Sequence, residues 1–557
     1  MLEKDKVLDL LLEQGLLMQE QIDKAKEETK RTGLSLEKAL EKLGFITQED
    51  ILNARAQILG VPYIDLNNYI VDTEILKLIP EEVARKYRVV PLFKIGSSLN
   101  VAMSNPEDIV ALDELRRRSK MDSIDGMLAS EEGIRKVLDS CYGLGDSVED
   151  IVKSIARNKL KGKQERALAE SAEEPPIIRL INIIFMQAVK DRASDIHVEP
   201  EEDTVRIRYR VDGIMQEVNV LPKELQGPVI SRIKILSDLD IAENRRPQDG
   251  RIRLKLEHKD LDVRVSTFPT VYGENVVMRL LDKTSVLLGV KDLHLSEENL
   301  DFFGKLIHRP HGIILVTGPT GSGKTTTLYA ALSNISSNEK NIITIEDPVE
   351  YKLTLIRQTQ INPKADITFA NGLRSILRQD PDVIMVGEIR DKETSEVAIQ
   401  AALTGHLVFS TLHTNDAPSA LTRLIDMGVE PFLISSSVIG ILAQRLVRTI
   451  CAKCKEKYDV PFTVFKELGI EVKAELYHGK GCSECHNTGF VGRVGIFELL
   501  VMNEEIRRMV NEKKSADQIR KAAIASGMKT LLDDGIDKAK SGLTTLDEVL
   551  RVTVAEG

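Results

Sequence analysis

The chain reads as a multidomain α/β protein organised around one nucleotide-binding core, and three observations carry that reading. The stretch IILVTGPTGSGKTTTLYAAL at 313–332 places a glycine-rich loop between an apolar strand and a helical run. From residue 289 onward, short apolar runs alternate with helical stretches in the manner of a parallel α/β sheet. The length, 557 residues, predicts roughly three to four domains.

Composition narrows the class. The hydrophobic fraction of 42% is that of soluble globular protein. A net charge of −10 and a pI near 5.6 argue against a general nucleic-acid binder, which needs clustered Lys and Arg to neutralise phosphates. The opening MLEKDKVLDLLLEQG is charged from residue 3 and has no signal-peptide apolar region. PPIIRLINIIFMQAVKDRASD carries Arg179 and is too short to cross a bilayer; it is expected to be an amphipathic helix begun by Pro175-Pro176. Five cysteines, four of them in two CxxC pairs, suit a reducing compartment and a metal. Cys141 stands apart and is read as a core residue.

In chain order, LLEQGLLMQEQIDKA (11–25) recurs as LEKLGFITQEDILNA (40–54), with Gly15 and Gly44 in register 29 residues apart. Each copy reads as helix, glycine stop, link, helix. Residues 61–143 suggest a small α+β domain, and the polar stretch 144–174 a linker. Residues 176–288 read as a helix followed by alternating strands. In TVRIRYRVDG, Val205, Ile207, Tyr209 and Val211 share one face and Arg206, Arg208 and Arg210 the other. LDVRVSTFP and NVVMRLLDK add strands from which Arg264 and Arg279 project.

The chemistry concentrates after residue 313. In Gly318-Pro319-Thr320-Gly321-Ser322-Gly323-Lys324-Thr325-Thr326, glycines let backbone N–H groups close on phosphates. Lys324 would reach the β/γ-phosphates, and the Thr325 hydroxyl would meet Mg²⁺. A second strand, NIITIEDPVEY, ends in Glu346, Asp347 and Glu350, where a role in orienting water or metal is expected. DPDVIMVGEIRD is a buried strand that ends in Gly387, with the carboxylate one step later as Glu388. Arg374 and Arg378, spaced i, i+4, leave one helix face as a salt-bridged surface or as phosphate neutralisers. His406 and His413 lie seven residues apart across a strand, on opposite faces, and position favours His413 for sensing γ-phosphate. Cys451, Cys454, Cys482 and Cys485 form two CxxC knuckles separated by 27 residues, a set that suits structural Zn²⁺, with His486 as a substitute ligand.

Taken together, these stretches resemble the secretion and pilus assembly ATPases, the type II/type IV secretion superfamily of hexameric motors. The likeness is close over about 145–557 and loose before it. Four boxes stand in the family's order: the P-loop (318–326), the aspartate box TIEDPVE (344–350), the atypical Walker B DPDVIMVGEIRD (380–391) and the histidine box TGHLVFSTLHTNDA (404–417). SDIHVEP, RRPQDGRI and GRVGIFELL resemble further signatures. STFPTVYGENVVMRLLDK and NGLRSILRQDPD read like the type II secretion branch. The tetracysteine element also occurs in pilus extension ATPases and is lacking in the retraction branch.

The resemblance implies a RecA-like P-loop ATPase core at 289–557 with a zinc subdomain at about 449–497. Before it would stand a PAS-like α+β domain at 176–288, a linker at 144–174 and an N-terminal docking or regulatory domain at 1–143, helical over 1–60. It also implies ATP as substrate, with Glu350 the general base, Glu388 the organiser of Mg²⁺, and His406 and His413 coupled to the γ-phosphate. Arg264, Arg279, Arg374 and Arg378 would contact nucleotide. The N-terminal repeat resembles a cyclic-di-GMP module, but Lys6-Val7-Leu8 and Ser35-Leu36-Glu37 stand where that module carries Arg-Leu-Gly, which leaves a docking platform as the reading. The implied protein is a cytoplasmic homo-hexamer held at the inner face of the inner membrane by platform and docking proteins, without nucleic acid. It would drive type II secretion, with pilus extension as the alternative and a DNA translocase as the rival of another class.

Overall fold

The computed structural model describes residues 2–66, 69–141, 152, 175–256, 259–282, 288–458 and 475–553. The linker expected at 144–174, apart from Val152, and the Cys141 side chain lie outside them. The chain divides into two compact units, Met1–Thr284 and Ser285–Gly557.

The first unit opens with the duplicated helices Leu2–Glu13 and Gln19–Thr32, then Leu36–Lys42 and Gln48–Leu59. Gly15 and Gly44 both stop a helix at φ 70°, a left-handed conformation that costs glycine little. The backbone bonds Leu16 N–H to Leu11 O and Phe45 N–H to Leu40 O repeat at the same 29-residue offset. So does the core: Leu11 and Leu40, Leu17 and Ile46, and Ala25 and Ala54 are buried in equivalent places.

A two-residue strand, β1 (Tyr69–Ile70), is followed by β2 (Val89–Ile95), β3 (Ser98–Met103) and β4 (Ser123–Leu128), the last three forming a small sheet with a core of its own. The helix Pro175–Lys190 begins at the expected prolines but is buried over most of its surface, Arg179 included. It lies in the same core as the sheet of β5 (Ala193–Pro200), β6 (Thr204–Val211), β7 (Ile214–Pro222), β8 (Gln248–Leu256), β9 (Lys259–Thr270) and β10 (Gly273–Asp282). Tyr209 ties the two layers, its hydroxyl donating to Ile184 O at 2.7 Å. The strand order is β1-β8-β9-β10-β5-β6-β7. Because β1 pairs with β8 and Lys190 meets Asp72 at 3.0 Å, the segments on either side of 144–174 share one sheet.

The second unit is a seven-stranded sheet in the order β13-β12-β14-β15-β11-β16-β19. Its strands are β11 (Gly312–Thr317), β12 (Ile342–Glu346), β13 (Ile356–Gln360), β14 (Val383–Val386), β15 (Leu407–Leu412), β16 (Val438–Ile450) and β19 (Phe490–Val501). Six run parallel, buried by helices on both faces as such strands must be. β19 departs from the expected parallel pattern and returns antiparallel along β16. Between β16 and β19 stands a small excursion with its own two strands, β17 (Lys455–Tyr458) and β18 (Leu476–Gly479). The RecA-like order puts the C-terminal ends of β11, β12, β14 and β15 at one edge, where α/β proteins bind ligands. Among the described residues no helix is long and apolar enough to cross a membrane.

Candidate functional site

The P-loop leaves the fully buried β11 and enters the helix Lys324–Ile335. Gly321 and Gly323 take φ 80° and 88°, and a Cβ on Gly318 would lie 2.4 Å from Gln444 O. The loop is thus pressed onto β16, with no room for side chains at its foot. Thr327 Oγ1 donates to Gln444 Oε1 at 2.7 Å beneath it. The Ser322 hydroxyl is buried without a hydrogen-bond partner. Pro319 is half-buried, and Thr320, Thr325 and Thr326 are exposed. Lys324 Nζ donates to the carbonyls of Gly318 (2.8 Å) and Pro319 (3.0 Å). Burial pushes its ammonium down to about 8; the Glu388 carboxylate opposes the shift and the Arg445 charge adds to it. This cradle of backbone, buried hydroxyl and ammonium fits a nucleotide's phosphates.

At the tip of β14, a Cβ on Gly387 would meet Ile345 O at 3.3 Å and the Glu346 Cα at 3.4 Å. An aspartate there would press on the end of β12, so the carboxylate comes one residue later. Glu388 pairs with Arg390, and His413 Nε2 lies 3.3 Å from its other oxygen. Arg390 is absent from the sequence reading, although an arginine two residues past the Glu388 carboxylate is a visible signal. Glu350 lies half-buried in the loop after β12, and its backbone N–H donates to the Tyr329 hydroxyl at 3.3 Å. Glu346 departs from the expected role. It is only 3% exposed and turns into the protein, accepting hydrogen bonds from Tyr329, Thr344 and Gln358.

The two histidines separate. His413 stands at the nucleotide edge. His406 stands at the start of β15, where its backbone carbonyl accepts from Gly312 N–H and its Nδ1 meets Ala401 O at 2.8 Å. Six residues of strand, about 20 Å, lie between them. His406 thus belongs to a helix–strand turn at the opposite edge of this sheet from the P-loop. The loop after β15 is nonetheless tied to the P-loop, Thr414 N–H donating to Thr317 Oγ1 at 3.0 Å. Buried Arg445 reaches Asn415 Oδ1 at 3.0 Å from β16. A charged residue inside the apolar run ILAQRLV was the available signal for Arg445.

Arg374 lies on the helix Phe369–Ile376 and pairs with Glu393 at 2.7 Å. Arg378 falls past the end of that helix and donates to Arg374 O at 3.0 Å and Ser375 Oγ at 3.1 Å. Both side chains are exposed, and these partners are local ones. Arg264 and Arg279 belong to the first unit, directly opposite each other on β9 and β10. Arg251 of β8 stands opposite Arg264, and Asp195 of β5 opposite Arg279, which it accepts from at 3.0 Å. Three arginines in adjacent register positions form a cationic row that only strand pairing could reveal.

The four cysteines converge, with all sulfurs within 4.8 Å of one another. Cys451–Cys482 and Cys454–Cys485 are each 3.8 Å apart, and Cys482–Cys485 3.7 Å. Tetrahedral ligation with ~2.3 Å metal–sulfur bonds requires sulfurs about 3.8 Å apart. The donor set therefore fits a closed tetrahedral metal. His486 is exposed and does not join it.

The chain matches the family described as Type II/IV secretion system protein over residues 170–551, and the MshEN domain over 59–148. The second match covers the small α+β sheet and begins where the helical repeat ends. The type IV pilus assembly ATPase PilB of Myxococcus xanthus is 43% identical, covering 98% of this chain and 99% of that protein. The type II secretion system protein E of Xanthomonas campestris pv. campestris is 42% identical, covering 98% of each. The type II secretion system ATPase E of Vibrio cholerae is 52% identical over 70% of this chain and 78% of that protein. A phosphate cradle and a displaced carboxylate at one sheet edge, with the family match over 170–551 and these relatives, place the chain in the type II/IV secretion system protein family, as an ATPase of secretion and pilus assembly.

Proposed function

We propose that the chain hydrolyses ATP as a hexameric cytoplasmic motor and that the work drives pseudopilus assembly for type II secretion. The observation that carries the reading is the convergence of Lys324, Glu388 and the Glu350 loop on one edge of the ATPase sheet. Lys324 holds the β- and γ-phosphates. Glu350 takes the proton of the attacking water as its oxygen bonds to the γ-phosphorus and the bond to the β-phosphate oxygen breaks. Thr325 and Glu388 would hold Mg²⁺, which would neutralise charge on the phosphates. Arg264 and Arg279 would neutralise further charge on the nucleotide, and Cys451, Cys454, Cys482 and Cys485 would hold a structural Zn²⁺.

The 52% identity to the Vibrio cholerae protein over 70% of this chain supports the secretion branch. Partners of this reading are inner-membrane platform and docking proteins, which would hold the ring at the membrane face. A second reading, extension of a type IV pilus, is supported by the full-length identity of 43% to the Myxococcus xanthus protein, level with the 42% of the Xanthomonas one. Lys324→Ala should abolish turnover, whereas Glu350→Gln should bind ATP and turn it over roughly a hundredfold more slowly or worse. Wild-type turnover by Glu350→Gln would refute the assigned base. Deleting the gene in its host and restoring it with Lys324→Ala decides the branch. Secreted proteins lost with surface pili intact support the first reading, and pili lost with secretion intact the second.

A further inference from the structure

One buried cluster near the P-loop is not used by the mechanism above. Tyr329 lies on the P-loop helix, five residues after Lys324, and is 2% exposed. Its hydroxyl donates to Glu346 Oε2 and accepts from the backbone N–H of Glu350 at 3.3 Å and from Gln358 Nε2 at 3.4 Å. Glu346 Oε1 accepts from Thr344 Oγ1 at 2.6 Å and from Gln358 Nε2 at 3.0 Å. Gln358, on the neighbouring strand β13, also donates to Tyr351 O at 2.9 Å and accepts from Leu353 N–H at 2.8 Å. One phenol therefore joins the helix that holds the phosphates to the loop that carries Glu350, and Gln358 pins the same loop at its far side.

We propose that Tyr329 is a positioning residue for hydrolysis, fixing the Glu350 main chain relative to the P-loop helix through its hydroxyl. The inference rests on the reading of Glu350 as general base. A base serves only when held within hydrogen-bond reach of the attacking water, and a misplacement of about 1 Å costs on the order of a hundredfold in rate. The phosphates are fixed by the helix and the base by its loop. In this network the hydroxyl is the one group that bonds to both Glu346 and the Glu350 backbone. Glu346 orients the phenol by accepting its hydrogen bond. Burial and the Glu346 carboxylate hold the phenol above its ordinary titration range, so the donor persists at working pH.

Tyr329→Phe removes the hydroxyl and keeps the ring. It should lower kcat about tenfold or more, leave KM and the affinity for a non-hydrolysable ATP analogue within about threefold, and keep the thermal transition cooperative. Thr344→Val, which removes a donor to Glu346 without touching the phenol, should lower kcat severalfold in the same KM-neutral way. It serves if Tyr329→Phe fails to fold. The deciding measurement adds Tyr329→Phe to Glu350→Gln. If the phenol acts through Glu350, the residual turnover of Glu350→Gln should not fall further. An equal fold-loss in both backgrounds, or a loss confined to KM or analogue affinity, would overturn the proposal. Glu350→Gln turning over at the wild-type rate is a separate result and would sink the reading of the base itself.

Discussion

At the scale of single residues, displacement of the carboxylate that follows β14 has a steric origin. Gly387 lies against the end of β12, so the chain must pass the strand tip before a side chain fits, and Glu388 is the first that does. There it meets Arg390 and His413 and bears electrostatically on Lys324. Lys324 itself is held down to about 8 by burial. Below pH 8 the lysine is protonated in the folded and unfolded chain alike. Between about 8 and its ordinary 10.5 the unfolded chain binds the extra proton, so the group's contribution to stability rises with pH in that window. Phosphate affinity should move the opposite way, because a neutral amine cannot hold a phosphate. Binding of a non-hydrolysable ATP analogue, titrated from pH 7 to 9.5, should weaken above pH 8 by up to about tenfold per unit. Lys324→Arg should flatten that slope. A slope unchanged by Lys324→Arg would assign the titration to another group.

At the scale of elements, β19 is where the sheet departs most from its sequence pattern, and it carries an unusual acid. Glu498 is 2% exposed and accepts from Ala417 N–H, at 2.8 Å, at the start of the helix Ala417–Asp426. Burial pushes its carboxyl up to about 7 and Asp416 adds to the rise, while the Ala417 and Leu531 N–H donors and Arg520 oppose it. Between 4.5 and about 7 the folded chain holds more protons than the unfolded one, so this contribution to stability is lost as pH rises through 7. Glu498→Gln keeps the acceptor without the charge. At pH 8 it should stabilise the second unit by at most about 3 kcal/mol, a rise of several degrees in its unfolding temperature. At pH 5 it should change little; equal shifts at both pH values would refute the assignment. The same contrast explains what the sequence reveals. The P-loop, the CxxC pairs and the repeat about Gly15 and Gly44 are written in adjacent residues. The inward turn of Glu346, the row Arg251–Arg264–Arg279 and the pairing of β1 with β8 depend on which strands meet and in what register. His406 shows the limit most clearly. Strand parity separates it from His413 by face, but only the direction of β15 among its neighbours separates them by edge.

At the scale of the whole molecule, each unit has cores of its own: in the first, those of the helical repeat, the β2–β4 sheet and the β5–β10 sheet; in the second, those on both faces of the ATPase sheet. The cysteine cluster belongs to the second alone. It clamps the excursion between β16 and β19, and the C-terminal segment is bonded to the same strand: Arg448 pairs with Glu548 at 2.7 Å and Ile450 N–H donates to Leu543 O at 2.9 Å. Glu548 is held down to about 2, its burial outweighed by the hydrogen bonds of Arg551 and Arg448. A metal at the four sulfurs would therefore stabilise β16, β19 and the final helices together, while leaving the first unit to its own sheet. Two units with separate cores should unfold in two steps on heating. Stripping the metal with a strong chelator, or Cys451→Ser, should lower only one of them, by roughly 5–10 °C for a loss of a few kcal/mol in a unit of this size. Addition of a nucleotide analogue with Mg²⁺ should raise that same step and identify it as the ATPase unit. Calorimetry of the full chain reads both. A single transition displaced as a whole by the chelator would mean that the two cores unfold as one, and no displacement, with no zinc by elemental analysis, would remove the metal from the site.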